Sequence, residues 1–262
     1  MKKYSLAIVG CGKLAHIVAD AINNGLLEDY KLIGAYSRTR EKAIAIAEKV
    51  NPETCAVCGS MDELLALKAD YIVETASPAS LKEFAFDALK RGSNIVTLSI
   101  GAFTDKDFYE KVQVVAREHN SKIYLASGAI GGFDVLRTAA LMGNCTATFD
   151  TEKGPNSLKG TSVYEDTLQT EKKQVFKGDA IEAINLFPTR VNVAVAASLA
   201  SVGPEKMKVS MTSTPGFVGD DHRIEIKNDQ VHAVIDVYSS TAQIAGWSVV
   251  NVLRNITSPI VF

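Results

Sequence analysis

KYSLAIVGCGKLAHIVADAI, residues 3–22, decides how this chain is read. Its first half is an apolar run with the length of a buried strand, and its second half repeats apolar residues at helical period. Between them Gly10, Gly12 and Ala15 form a GxGxxA turn. The first glycine of such a turn permits a tight bend, and the second lets a pyrophosphate approach the backbone where the helix begins. The small third residue allows helix and sheet to pack closely. The stretch therefore predicts strand, turn and helix, with the helix over 13–27 and a dinucleotide held at Gly10, Gly12, Lys13 and Leu14. Lysines followed by apolar residues also open a signal peptide, but here glycines break the apolar run and helical periodicity resumes, so the chain is read as cytoplasmic.

Working outward, strand-like runs at 30–37, 55–60, 70–77, 94–101 and 122–127 alternate with helical stretches. Strands separated by helices of this length imply a doubly wound parallel sheet with right-handed crossovers. Past Ser127 the texture changes. GAIGGFDVLRTAALMG (128–143) reads as a glycine-rich turn feeding a helix, TATFDT (146–151) as a strand and GPNSLKG (154–160) as a loop. Helices are predicted over 178–188 and 191–203. MKVSMTST (207–214), HRIEIKN (222–228) and VHAVIDVYS (231–239) alternate apolar with polar residues and read as antiparallel strands. The expected fold is α/β: a dinucleotide-binding domain at 1–126, a second α/β domain at 127–240 with a mixed or antiparallel sheet, and a C-terminal helix at 241–262 packing back on the first domain.

Composition narrows the function classes. Of 262 residues, 47% are hydrophobic and 22% charged, with a net charge of -2, so neither a nucleic acid nor a membrane is an expected partner. Cys55 and Cys58 form a CxxC pair without a second ligand pair, so no metal site is expected, and four cysteines in a chain of this length make no disulfide framework.

The second strand ends in Tyr36-Ser37-Arg38-Thr39-Arg40, where an enzyme selective for NAD would carry an acid for the ribose 2'-hydroxyl. A hydroxyl at Ser37 and a guanidinium at Arg38 suit a 2'-phosphate, so NADP is the preferred cofactor and NAD the alternative. Small residues at later strand ends, Ala76 among them, leave room for a nicotinamide ring. The stretch TPGFVGDDHRIEI (214–226) places His222 after a loop containing Pro215, Gly216 and Gly219, with Asp220 and Asp221 beside it. It reads either as a polar turn or as a proton-transfer station, since an imidazole titrates near neutrality.

GCGKLA (10–15), VETAS (73–77), ASGAIGGFD (126–134), KGPNSL (153–158), FPTRVNVA (187–194) and DDHRI (220–224) together give the chain a resemblance to the L-aspartate dehydrogenase family over its full length. The resemblance implies a Rossmann domain joined to an α/β domain that carries the substrate and often makes the oligomer contacts, and the apolar strands of the second domain lead to the expectation of a homodimer or homotetramer. It further implies NAD(P)-dependent oxidative deamination of L-aspartate through iminosuccinate to oxaloacetate and ammonia, or the reverse. By motif, Ala129 and Asn192 fall at cofactor-contacting positions and His222 at the catalytic one. Backbone at Gly128 and Gly131 can approach the small-molecule substrate, and Lys153 and Arg190 are candidate partners for its carboxylates. The chain departs from the family pattern at Ser213-Thr214-Pro215, at Asp220 where asparagine is usual, at Arg190, and at residues 238–242. An added carboxylate near the site needs a cation beside it, and Arg190 is the expected partner of Asp220. The alternatives are a related amino-acid dehydrogenase or imine reductase with another substrate, and a non-catalytic NADP-binding regulatory protein.

Overall fold

The computed structural model describes residues 3–51, 53–188 and 190–262. The chain divides into two units, one formed by residues through Ala126 together with Ala245–Phe262, the other by Ser127–Ile244.

The first unit alternates strand and helix: β1 (Tyr4–Val9), α1 (Lys13–Asn23), β2 (Tyr30–Tyr36), α2 (Arg40–Val50), β3 (Ala56–Cys58) and α3 (Met61–Ala66). It continues with β4 (Tyr71–Glu74), α4 (Pro78–Lys90), β5 (Asn94–Thr97), α5 (Lys106–Glu118) and β6 (Ile123–Leu125). All six strands pair in parallel in the order β3-β2-β1-β4-β5-β6, the doubly wound arrangement. Helices cover both faces, so β4 is buried at every residue and a plain apolar run was the right signal for it. Local caps set the helix starts: the Ser60, Ser77 and Asp105 side chains accept from Glu63 N, Ser80 N and Phe108 N. The first helix ends at Asn23, four residues before the expected Leu27. Gly25 takes a left-handed conformation (φ +73°) and Leu26 N bonds back to Ala21 O, folding buried Leu27 under the helix end.

Cys11, Cys55 and Cys58 are buried in this unit. Burial pushes the Cys11 and Cys55 thiols up to about 12, so both stay protonated and act as small core residues.

The second unit carries α6 (Phe133–Leu141), β7 (Thr146–Lys153), β8 (Lys173–Asp179), α7 (Ala180–Leu186), α8 (Asn192–Leu199), β9 (Lys208–Ser213), β10 (Asp220–Lys227) and β11 (His232–Ser239). Its five-stranded sheet runs β11-β10-β7-β9-β8. β7 and β9 are parallel and every other neighbouring pair antiparallel, so the sheet is mixed. The three late strands are therefore not one antiparallel set: β9 leaves β10 and pairs with β7 and β8. β8, for which no strand was expected, closes the sheet. It lacks period-two burial and slips register between Gln174 and Phe176. α7 opens with a reciprocal capping box between Asp179 and Glu182.

The last helix, α9 (Gln243–Thr257), belongs from Ala245 onward to the first unit. Gly246 presses so near α1 that a Cβ would come within 2.6 Å of Ile17, and buried Tyr30 donates to the Leu253 carbonyl at 2.8 Å. Among the described residues no helix is long and apolar enough to cross a membrane.

One buried carboxyl group organises the carboxyl end of the parallel sheet. Glu74, 0% exposed at the end of β4, accepts from Ala76 N (2.7 Å), Ser77 N (2.9 Å) and Ser99 Oγ (2.9 Å) on one oxygen and from Thr97 Oγ1 (2.5 Å) on the other. Burial pushes its carboxyl up, against the opposing pull of these four donors. Glu74→Leu would leave the donors buried without an acceptor and is expected to cost about 3 kcal/mol or more. Glu74→Gln can keep three donors on its oxygen and turn its amide toward Thr97 Oγ1, at a cost of about 1 kcal/mol. Thermal unfolding followed by circular dichroism checks the pair; equal midpoints would show that the carboxylate is not the organising group.

Candidate active site

The first unit places its motif residues around one cavity of about 220 Å³ at the switch point between β1 and β4. Gly10, Gly12, Ser37, Arg38 and Ala76 all line it. Lys13 and Leu14 follow on the first turn of α1. Gly10 is at φ +88°, and a Cβ there would lie 2.7 Å from the Ala76 backbone, so only glycine permits the two turns to meet. Thr75 Oγ1 ties them together by donating to Gly10 O at 2.6 Å.

The residues present fit a dinucleotide. Gly12 caps α1 without a side chain, no acid stands in the helix's first turn, and a Cβ at Gly12 would find no atom within 4 Å. The N-terminal amides are thus left for an anion. Thr39 and Lys42 join Ser37 and Arg38 in the lining, and the described lining contains no carboxylate. Lys42 was missed by the sequence reading because it is defined only by its turn of α2 coming round to the cavity. Arg40 does not line it; its Nη1 lies 3.7 Å from the Cβ position of Gly59.

In the second unit the period of two decides the chemistry. Thr151 and Lys153 of β7 face the same side as Asp220 and His222 of β10 and Ser213 of β9, the side on which Phe149, Val209 and Ile224 are buried. Register makes rows across the sheet: His222 opposite Thr151, and Asp220 opposite Lys153, which in turn stands beside Ser213. The apolar face therefore ends in a polar patch.

His222 is 2% exposed, with Nδ1 2.9 Å from Thr151 Oγ1 and its ring 5.5 Å from that of Phe149. Burial pushes its pKa down to about 4, the Lys153 ammonium pushes the same way, and the Asp220 carboxylate opposes. The ring is accordingly uncharged near neutral pH. Lys153, 6% exposed, makes an ion pair with Asp220, which corrects the expected pairing of Asp220 with Arg190. Arg190 is exposed and donates to the Lys159 carbonyl at 3.1 Å. The loop before β10 is pinned: Tyr238 donates to Val218 O at 3.0 Å, and a Cβ at Gly219 (φ +84°) would lie 2.0 Å from Ser239 O.

The glycine-rich turn sits elsewhere in this unit. Gly128 lies against Val193, 3.0 Å from where its Cβ would be, which brings the turn beside Asn192 at the start of α8. Ala129 and Gly131 lie between Gly128 and Gly132, the residue that caps α6. Ser213 and Glu74 stand in stretches that the sequence marked, Ser213-Thr214-Pro215 and VETAS, but their burial and partners were not legible there, since their surroundings come from strands far away in the chain.

Two family descriptions match the chain in tandem. Residues 10–126 match "Homoserine dehydrogenase, NAD binding domain" and residues 134–256 match "Aspartate dehydrogenase, C-terminal". Among solved structures, the chain superposes on aspartate dehydrogenase from Thermotoga maritima with a TM-score of 0.75 at 26% identity, covering 99% of each chain. A hyperthermophilic archaeal homoserine dehydrogenase shares the fold, with a TM-score of 0.64 at 14% identity over 98% of this chain and 99% of that one. L-aspartate dehydrogenase of Methanosarcina mazei is 31% identical, over 97% of both chains. That of Methanococcus maripaludis is 33% identical, again over 97% of both, and a likeness of that degree over that span means that this chain belongs to the L-aspartate dehydrogenase family.

Proposed function

We propose that the chain is an NADP-preferring dehydrogenase that interconverts L-aspartate with oxaloacetate and ammonia through iminosuccinate. The observation that carries this reading is full-length membership of the family, in a chain whose first unit keeps an uncapped α1 start and a cationic cavity wall. The nicotinamide cofactor, when bound, accepts or returns the hydride. The first unit holds it: the amides at Gly12 and beyond take the diphosphate, and Ser37, Arg38 and Lys42 take the 2'-phosphate. Ala129 and Asn192 are assigned as further cofactor-contacting positions by their place in the family motif.

His222 is the proton-transfer residue. In the tautomer whose proton is on Nδ1, that nitrogen donates to Thr151 Oγ1, 2.9 Å away, and the Nε2 lone pair is left to take a proton from water as it adds to the imine carbon, and to give that proton back as ammonia leaves. Lys153, Arg190 and the backbone of Gly128 and Gly131 are the candidate holders of the substrate carboxylates, Lys153 being the one beside His222 in the sheet. A second reading, a dehydrogenase or imine reductase for a less acidic substrate, is favoured by one feature: Asp220 already occupies Lys153. In solution the enzyme is a homodimer or homotetramer.

An assay of NADPH oxidation with oxaloacetate and ammonia, run beside other 2-oxo acids, separates the readings. Turnover is expected with oxaloacetate; turnover only with a monocarboxylate selects the second reading, and none with any acid despite cofactor binding leaves a binding protein. Arg38→Asp is expected to lower the preference for NADP over NAD by about tenfold or more. An unchanged ratio of affinities would remove Arg38 from the 2'-phosphate site.

His222→Ala is expected to lower kcat by about 10²–10⁴ with cofactor affinity kept. Because the folded pKa lies below the ordinary value, the imidazole adds stability that is present above pH 6.5 and lost as pH falls toward about 4. That dependence, about 3 kcal/mol across the window, is expected in wild type and absent from the variant in denaturant titrations at pH 7 and pH 4.5. A variant with wild-type kcat makes the histidine structural.

A further inference from the structure

Ser213 ends β9 at 0% exposure, and its Oγ is one of two buried side-chain polar atoms that find no hydrogen-bond partner among the described residues. Buried hydroxyls are ordinarily satisfied, so an orphan among strongly polar neighbours is a candidate for a partner that the chain does not supply, a ligand or an ordered water. Its surroundings say what kind. Ser213 stands in register beside Lys153 on the parallel strand β7, and Lys153 is itself paired with Asp220 on β10. An ammonium carries three donors, and a hydroxyl adds one more. Asp220 neutralises the charge of Lys153, yet the row Asp220–Lys153–Ser213 stays rich in donors, which matches a ligand with several acceptor oxygens.

The row is also placed for it. His222 and Thr151 lie two residues along the same strands and face the same side, roughly 7 Å from the Lys153 row at ordinary strand rise. A small acid can span that separation. Its reacting carbon would lie near the imidazole and a carboxylate near the donors.

We infer that Ser213 is a substrate-binding residue, its hydroxyl donating to a carboxylate oxygen of the amino acid or 2-oxo acid beside Lys153. This rests on reading the second unit as the one that handles substrate. The loop that follows, Thr214 to Gly219, supports a fixed position: Thr214 N bonds to Lys153 O at 3.0 Å and Thr214 Oγ1 to Glu152 at 2.5 Å, so β9 cannot withdraw without breaking both.

Ser213→Ala tests it with two readouts that move in opposite senses. Removing an orphaned hydroxyl should leave the unfolding midpoint at or above that of wild type, whereas removing a hydroxyl with a partner inside the fold should lower it. The KM for oxaloacetate, with saturating NADPH and ammonia, is expected to rise about tenfold while kcat stays within about threefold. A parallel series with 2-oxobutyrate shows which carboxylate is held: a rise for both acids assigns the shared one, and a rise for oxaloacetate alone assigns the second. An unchanged KM, or a lowered midpoint, overturns the inference.

Calorimetric titration of wild type and variant with L-malate, in the presence of NADP, reads binding without turnover. If wild type binds the dicarboxylate more tightly than the variant but turns over no acid, the reaction assignment fails and the Ser213 assignment stands. If wild type turns over oxaloacetate and the variant matches it in both KM and binding, only the Ser213 assignment fails. If wild type neither binds nor turns over any acid, both fail.

Discussion

The first unit depends on two backbone turns meeting at the switch point of its parallel sheet. Gly10, at the end of β1, approaches Ala76, beyond β4, more closely than any Cβ would allow. Glu74 holds the second turn rigid by accepting from the amides of Ala76 and Ser77. The consequence concerns anions. Two helices, α1 and α4, begin beside this junction, and both present amides and the positive end of a dipole. At α4 the approach is occupied by the protein's own carboxylate and by the Ser77 cap. At α1 it is capped by glycine alone. Of these two helix starts, the one at α1 is the one left open to an anion such as a diphosphate.

The second unit answers to another constraint, the alternation of side chains along a strand. Its buried face must be apolar where helices cover it, and β7, β9 and β10 obey with Phe149, Val209 and Ile224. Two residues further along, the same face carries His222, Thr151 and Met211, and beyond them Asp220, Lys153 and Ser213. Polar groups in such positions are a cost to folding unless they satisfy each other. Thr151 and His222 do so, as do Lys153 and Asp220. The hydroxyl of Ser213 is left without a partner among the described residues, and on that difference rests the proposal that this end of the face binds a ligand.

The first unit was legible because its signals are local. A glycine turn, an apolar run and a helix start each occupy a few adjacent residues, and the parallel topology follows from their alternation. The early end of α1 was missed because the apolar pattern continues through Leu26 and Leu27 while Gly25 bends the chain. In the second unit the alternation of β7, β10 and β11 was readable, but their order was not: β7 pairs with strands some 60 and 75 residues away, and sequence pattern carries no record of which neighbour wins. β8 was invisible for a different reason. It lies at the sheet edge with both faces partly exposed, so period-two burial never imprinted on its residues. The same distance hid Lys153 as the partner of Asp220. Arg190 looked equally suitable in sequence, and only register separates a facing cation from one turned to a loop carbonyl.

Register also explains the state of the histidine. Lys153 lies on the strand next to His222 and, alone, would press the imidazole further toward its neutral form. Asp220 sits on the same strand as His222, two residues before it, and pulls the other way. Because the two charges are themselves paired, their opposing effects on the ring largely offset, and burial is left as the main cause of its lowered pKa. A carboxylate arriving beside Lys153 adds negative charge to this balance. In the proposed reaction it would raise the proton affinity of the imidazole as a proton is taken up, and its departure would lower that affinity again. Asparagine at 220 would leave Lys153 unopposed and the ring harder to protonate, so in the proposed reaction an aspartate there, although it competes for the lysine, favours proton transfer at the histidine.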